Sequence, residues 1–517
     1  MALISIIEDF HPLNDPRLLR RARELTPALS RRSCAAAAIC LRRSGAEQEE
    51  HFSPDALPRL SLGKGDSLCL DFGEHRVGTV TLELDCSGSH QDAPVFLDLR
   101  FAETLEELRQ DPRSYDGWLS RSWIQEERLH VDLLPHTMPL PRRYAFRYLR
   151  LTVLDTSPKY RLVVKSAVCQ AVSAVDPASA PALDSGDGLL DRVHAVSLKT
   201  LGECMQEEFE DGPKRDRRLW MGDLRLQALS NAVSFRNFDL VKRCLYLFAG
   251  TRFPDGRVAA NLFTRPEPEA DDTFLFDYAL MFPVTLEEYL RETGDAEALE
   301  DLYKIAQEQI DYALAQLEDG RPNAQAVHDC FIDWCDELDK QACALAVLIY
   351  ALDYALDLAR RMGDSARIRD LSLQAKTLRK LALERYWDEK QGLFVSNGQA
   401  APATQVWMVL ADVVDPERER RALEAVRGMT DLRMNTPYMH HYYIMALLKA
   451  GLRQEAERHL KDYWGSMLDA GADTFWECWD PADPEASPYG GLIVNSFCHA
   501  WSCTPAYILR RHLRPEG

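Results

Sequence analysis

Residues Val175–Gly188 read V-D-P-A-S-A-P-A-L-D-S-G-D-G, a stretch rich in Pro, Ala, Ser and Gly that interrupts the chain between two different hydrophobic patterns. Before it, short runs alternate apolar and polar residues and are bounded by Gly, Pro, Asp or Ser. They are Ala35–Arg42, Ser67–Phe72, Thr79–Asp85, Pro94–Phe101, Glu127–Leu134, Tyr148–Leu154 and Leu162–Val172. Several short strands with turn signals predict a β-sandwich over 1–180, preceded by a short helix over 14–26. After it, the apolar spacing becomes helical.

The helical part, 181–517, contains about a dozen segments separated by Gly- or Pro-marked breaks. Examples are Phe274–Thr293, Ala296–Leu317, Lys340–Met362, Ser365–Tyr386, Thr404–Val414, Glu417–Gly428, Met439–Ala450 and Gln454–Ala470. They pair without a fixed sequence period, which disfavours a short-repeat solenoid. Twelve helices in this length fit an (α/α)6 toroid of six hairpins whose loops at one end surround a central cleft. The fold class expected is therefore an N-terminal β-sandwich followed by an (α/α)6 six-hairpin domain.

Composition narrows the function. The 517 residues carry 61 basic and 81 acidic side chains, a formal charge of −20, which opposes binding to nucleic acid or an anionic membrane. Thirteen cysteines, an odd number without C-x-x-C pairs, read as reduced thiols and predict a cytoplasmic protein. The N-terminus M-A-L-I-S-I-I-E-D-F-H-P lacks a basic leader region, and no uninterrupted apolar run approaches the ~18–20 residues that cross a bilayer. No His or Cys pair has zinc spacing, so neither a metal nor another cofactor is expected. No oligomeric state is written in the residues, and a homodimer is no more than a guess.

Two stretches carry candidate chemistry. Glu207–Asp223, E-E-F-E-D-G-P-K-R-D-R-R-L-W-M-G-D, turns at Gly212-Pro213 and runs through Trp220 into an apolar helix pattern. Its alternating charges fit a solvated linker, but a Trp against a helix start favours a site on a loop held by rigid elements. Gly471–Pro481, G-A-D-T-F-W-E-C-W-D-P, places Glu477 between Trp476 and Trp479. Indoles beside a carboxylate suit a sugar, with aromatic faces against the pyranose and the acid handling protons; a Trp pair packed at a helix end is the alternative. Further loop residues fit such a cleft: Asp277, Asp333 and Trp334, Trp407, His441, and His499. His440 and His441 read as packed or surface histidines rather than metal ligands. Trp118 and Trp123 fit a sugar-contact lip, a domain interface or ordinary packing. Trp beside an acid recurs in this set, and an aromatic, acidic cleft suits a neutral polyol better than a phosphate. Glycoside hydrolysis generally takes two carboxyls, one protonated and one ionised.

The block D-G-P-K-R-D-R-R-L-W-M-G-D (Asp211–Asp223) resembles the signature of family 78 glycoside hydrolases, the α-L-rhamnosidases, in which D-C-P and an acid are followed four residues on by Trp and then G-D. G-A-D-T-F-W-E-C-W-D is similar to the family's second motif, and N-S-F-C-H-A-W-S (Asn495–Ser502) to the segment that supplies its active-site His. L-D-F-G-E-H-R-V-G-T-V-T-L-E-L (Leu70–Leu84) and F-R-Y-L-R-L (Phe146–Leu151) extend the resemblance into the sandwich.

The resemblance implies an inverting α-L-rhamnosidase that releases L-rhamnose from a small rhamnoside. Glu477 would be the general base and Asp216 the general acid, with Asp211 and Asp223 matching substrate-binding acids and standing as alternatives for the acid role. The remaining candidate substrate contacts are Arg215, Trp220, Asp277, Asp333, Trp334, Trp407, Trp476, Trp479, His441 and His499. Asp216 is shorter than the Glu of many relatives. Neighbouring positive charge favours an ionised carboxyl, whereas an acid catalyst must hold its proton. Arg215, Arg217 and Arg218 are accordingly expected to pair with Asp211, Glu208 or Glu210. Gly212 replaces the usual Cys, a change expected to be without consequence. Many relatives carry further β-domains; this chain resembles a two-domain form suited to small imported rhamnosides rather than polymers. The alternatives are another (α/α)6 glycosidase for a different neutral or deoxy sugar, and a non-catalytic sugar-binding protein.

Overall fold

A computed structural model describes residue 7 and residues 10–513; the apolar run at 1–6, considered above as a leader, lies outside them. The leading helix is Pro16–Glu24, capped by Asp15, whose carboxylate accepts the amides of Arg17 and Leu18. It packs on the helix Phe238–Gly250 of the second half of the chain.

The β part is one nine-stranded antiparallel sheet folded around its own core. Two strands make the fold-over, Ser67–Gly88 and His136–Asp155, each longer than sequence alternation alone predicts. The expected break after Phe72 is a bulge rather than a chain reversal: pairing of these two strands shifts register between Asp71 and Arg76. Gly73 takes φ +82° there, and its amide donates to Asp71 Oδ1 at 2.7 Å. The expected strand Ala35–Arg42 is divided into Ser30–Ala35 and Ala38–Arg42, which pair with different partners.

From Gly188 the chain is helical, and six helices form an inner ring. These are Met221–Ala232, Phe276–Thr293, Gln341–Met362, Pro402–Leu410, Pro437–Lys449 and the last segment, Ala500–Cys503 continued by Pro505–Arg511. Each packs on the next, and the last packs on the first, which closes the toroid. The outer ring is Gly188–Cys204, Phe238–Gly250, Ala296–Ala315, Ser365–Tyr386, Pro416–Val426 and Arg453–Asp469.

The two rings differ as their sequences require. In Gln341–Met362 every residue from Ala342 to Ile349 is buried, whereas Ser365–Tyr386 buries only the stripe Leu371, Ala375, Leu378, Ala382 and Tyr386. Gln341–Met362 is also long and apolar enough to cross a membrane by length and composition, although Asp353 and Asp357 interrupt its apolar run. Its apolarity is accounted for by the inner ring, which buries 78% of that window. Two inner helices turn into their outer neighbours through the same device. Gly294 and Gly363, at φ +66° and +70°, end the first helix, and Asp295 and Asp364 cap the next.

The two halves of the chain meet through buried polar contacts. The bulge aims His75 at the barrel, where its amide donates to Asp473 Oδ2 at 2.6 Å and its Nε2 lies 2.9 Å from Glu103 Oε1. The other Glu103 oxygen accepts the amide of Phe497 at 2.7 Å. Lys214, 1% exposed, joins Glu107 at 2.7 Å and donates to the Asn495 carbonyl at 2.7 Å.

Candidate active site

The cleft opens at one end of the toroid and encloses about 320 Å3. Its polar floor comes from two segments without regular secondary structure that nonetheless have fixed backbones. The loop 211–218 is closed at its base by the Asp211 amide on the Arg218 carbonyl and by the Arg218 amide on Asp211 Oδ1, both at 3.0 Å. Leu219–Trp220 then pairs with Asn261–Phe263 and leads into the inner helix that carries Asp223. The second segment folds on itself through the Glu477 amide on the Ser496 carbonyl and the His499 amide on the Phe475 carbonyl. A bond from the Ala500 amide to the Asp211 carbonyl, 2.8 Å, joins the two.

Six carboxyls line the cleft, and four of them, Asp211, Asp216, Asp223 and Glu477, come from these segments and the helix they lead into. Arg215 lies between two of them. Its Nη2 donates to Glu477 Oε2, its Nη1 lies 3.7 Å from Asp216 Oδ1, and its Nε donates to the Val494 carbonyl at 2.7 Å. This differs from the expected pairing of the loop's arginines with Asp211, Glu208 or Glu210. Arg217 instead donates to the Arg143 carbonyl, Arg218 lies 3.7 Å from Asp271, and Glu210 is taken by Arg143. The Glu477 carboxylate lies across the cleft, far along the chain, and a guanidinium matches it better than a neighbour on the same tight loop.

Burial raises the pKa of Glu477, and the opposing pull of Arg215 and of the Tyr489 hydroxyl only partly offsets it. Burial, with repulsion from the other carboxyls, holds Asp211 and Asp223 well above the ordinary range. His499 stands among three of the four acids, with ring nitrogens 4.0 Å from Asp211, 3.8 Å from Asp223 and 3.9 Å from Glu477. Burial and the nearby Arg215 keep its pKa well below that of an ordinary imidazole. Asp223 Oδ1 and His499 Nδ1 are buried without a hydrogen-bond partner, as expected of groups placed to meet a ligand's hydroxyls.

Of the residues named from sequence, Asp211, Arg215, Asp216, Trp220, Asp223, Trp334, Glu477 and His499 are brought together on the cleft wall. Six lie outside the lining. Trp476 packs on Trp479 and Phe497 and stays in the core, and Trp479 donates from its indole to Ser466. Trp407 packs on Tyr442 with ring centroids 4.3 Å apart, inside the inner ring. His441 is fully buried beside Tyr442, which drives its pKa well below the usual value.

Asp277 and Asp333 lie behind the lining. Asp277 accepts the amides of Phe331 and Ile332 at 2.9 Å each. Asp333, pushed up to about 6 by burial, accepts from Thr436 and from the amides of Asn435 and Trp334. Both carboxylates thus brace the loop that presents Phe331 and Trp334 to the cleft. The aromatic wall is made by Trp220, Tyr278, Phe331, Trp334, Tyr489 and Trp501, joined by Trp118 and Trp123 from the β part. Tyr489 carried no sequence signal beyond an aromatic in the turn-forming run S-P-Y-G-G, and Asp271 and Asp272 stood out no more than other surface acids. At Gly212 a Cβ would stand 2.6 Å from Ser496 Oγ, so a side chain there requires that hydroxyl to move.

Comparison with known proteins agrees with this architecture. Residues 41–171 match the family model for the N-terminal domain of glycosyl hydrolase family 78 alpha-rhamnosidases. Residues 179–513 match the model for the six-hairpin glycosidase domain of bacterial alpha-L-rhamnosidases. Among solved structures, a rhamnosidase from Klebsiella oxytoca with rhamnose bound is 44% identical, covers 96% of this chain and 99% of its own, and superposes with a TM-score of 0.92. A family 78 rhamnosidase from Bacillus sp. GL1 shares the fold at 22% identity and a TM-score of 0.74, over 89% of this chain and 49% of its own. An alpha-L-rhamnosidase of Streptomyces avermitilis is 25% identical over 451 residues, 83% of this chain; the match spans 40% of that relative's length.

Proposed function

Because the chain belongs to glycoside hydrolase family 78, we propose that it hydrolyses terminal α-L-rhamnosides by an inverting mechanism. The observation that carries this is Arg215 set between Glu477 and Asp216 on the wall of a cleft whose floor holds unpartnered polar atoms. Glu477 is the base that activates water. It is 4% exposed, and Arg215 and Tyr489 both donate to its carboxylate, which favours the ionised form against the effect of burial.

Asp216 is the acid. Its side chain is 20% exposed, against 5% for Asp211 and 3% for Asp223, so of the three it stands nearest the mouth through which a leaving group departs. Asp211, Asp223 and His499 bind the sugar hydroxyls at the floor. The guanidinium stands between the two catalytic carboxyls; inversion calls for a spacing of about 6.5–9.5 Å, wide enough for a water.

The cleft's 320 Å3 lies at the lower end of the ~300–1,000 Å3 typical of ligand pockets. That supports a terminal rhamnose with a small group beyond it rather than a polymer. Thirteen unpaired thiols, eight of them buried, support a cytoplasmic setting. The test is hydrolysis of an aryl α-L-rhamnoside by the wild type, Glu477→Gln and Asp216→Asn. Turnover by the wild type with losses of about 10²–10⁴-fold in both variants is expected. A wild type inert on every rhamnoside contradicts the function, and full activity in Asp216→Asn moves the acid role to Asp211 or Asp223.

A further inference from the structure

Tyr489 is 3% exposed and touches both Glu477 and the arginine that pairs with it. Its hydroxyl donates to Glu477 Oε1, the oxygen that Arg215 does not take. Its ring lies under the Arg215 guanidinium, 4.1 Å from the centroid. A phenol and a guanidinium thus fix the carboxylate from two sides, and the phenol ring also fixes the guanidinium.

Tyr489 sits on a turn that has little structure of its own and is held by residues 112–123 of the N-terminal domain. Tyr115 donates from its hydroxyl to the Tyr489 carbonyl at 2.9 Å, and the Trp118 indole donates to the Pro488 carbonyl at 2.8 Å. Gly117 and Gly490 meet backbone to backbone: a Cβ on Gly117 would stand 2.0 Å from the Tyr489 carbonyl oxygen, and one on Gly490 2.9 Å from Gly117 Cα. The ring itself is flanked by Trp118 and Trp334, at centroid distances of 5.5 and 5.7 Å.

We propose that Tyr489 is a positioning residue for Glu477, and that the 112–123 segment of the N-terminal domain holds it in place. This rests on Glu477 being the base. The β-domain then contributes to catalysis through the orientation and ionisation of a barrel carboxylate, without touching the reacting atoms.

The groups that face Glu477 are Arg215 and Asp216 from the 211–218 loop, Asp223 from the inner helix, His499 from the last segment, the Cys478 thiol beside it in the chain, and Tyr489. Of these, Arg215 and Tyr489 donate to its oxygens. Tyr489→Phe removes only the hydroxyl and keeps the ring on Arg215. With one donor lost, the ionised carboxylate is less favoured, so the pKa of the base rises and activity is lost at a higher pH on the acid side.

The experiment is the pH profile of kcat/KM on an aryl α-L-rhamnoside for wild type, Tyr489→Phe and Tyr115→Phe. The acid limb is expected to move up by about one pH unit in Tyr489→Phe, so that kcat/KM falls about tenfold at pH values well below the limb, with KM little changed. Tyr115→Phe, which removes one of the bonds from the N-terminal domain to the turn, is expected to move it the same way by less. A limb that stays in place in Tyr489→Phe overturns the proposal, as does a loss of rate spread evenly over all pH. If Tyr489→Phe does not fold, Tyr115→Phe decides alone: a raised limb supports the proposal and an unmoved one overturns it. A wild type inert on rhamnosides overturns the proposed function and this inference with it, whereas an active wild type with an unmoved limb in the variants overturns the inference alone.

Discussion

At Arg215 one guanidinium reaches both proposed catalytic carboxyls while only 2% of its side chain is exposed. Removing a buried ion's partner leaves the other charge uncompensated, at a cost of about 3–5 kcal/mol. Arg215→Met is therefore expected to lower the melting temperature by several degrees and to reduce kcat, by up to the factor expected for Glu477→Gln; calorimetry and rhamnoside turnover check both. An Arg215→Met variant as stable and active as wild type would show that Glu477 needs no counter-ion. The acids of this cluster were legible because Asp211, Asp216 and Asp223 share one short motif. The partner of Arg215 was not, because the motif offers several nearer acids, whereas Glu477 lies 262 residues away. Local sequence suggests local pairing, and the ring closure overrides it.

Elements decide what faces the cleft. The segment around Glu477 has no helical or strand period, so its sequence alone does not tell which side chains turn inward, and the indoles of Trp476 and Trp479 turn to the core. The helices themselves were legible almost to their ends, since amphipathic stripes and the Gly-Asp turns at 294–295 and 363–364 mark them. Two expectations belong to this scale. Gly117→Ala places a methyl group against the Tyr489 carbonyl, backbone that cannot swing aside, so both activity and melting temperature are expected to fall; unchanged values would mean that the turn is free to shift.

The second concerns His459 on the outer helix Arg453–Asp469, whose Nε2 lies 2.8 Å from Nδ1 of His440 on the inner helix Pro437–Lys449. Burial lowers its pKa from the usual 6.5 to about 4. The unfolded chain therefore takes up a proton there before the folded one does, and the stability this histidine contributes above pH 6.5 is lost as the pH falls towards 4. Wild type is expected to lose stability relative to His459→Gln over that window by up to about 1.4 kcal/mol per pH unit, read as the difference between their melting temperatures at pH 7 and pH 5. A difference independent of pH would mean that the histidine is not held neutral.

At the scale of the whole molecule, the toroid brings the 211–223 and 471–504 segments face to face, and the folded sheet props both. The junction is polar and buried: His75 and Glu103 from the sheet meet Asp473 and Phe497, and Lys214 meets Glu107. No short-range pattern announces such a junction; of the β part's share in the cleft, only Trp118 and Trp123 were legible, as a sugar-contact lip beside other readings. In the proposed mechanism two carboxyls spaced by Arg215 act on opposite faces of an α-L-rhamnoside, one on the leaving oxygen and one on water. The most direct measurement is proton NMR of an aryl α-L-rhamnoside during the first turnovers by the wild type, before released sugar mutarotates. β-L-Rhamnose appearing first is the expected result, and α-L-rhamnose appearing first would contradict the account by making Glu477 or Asp216 a nucleophile.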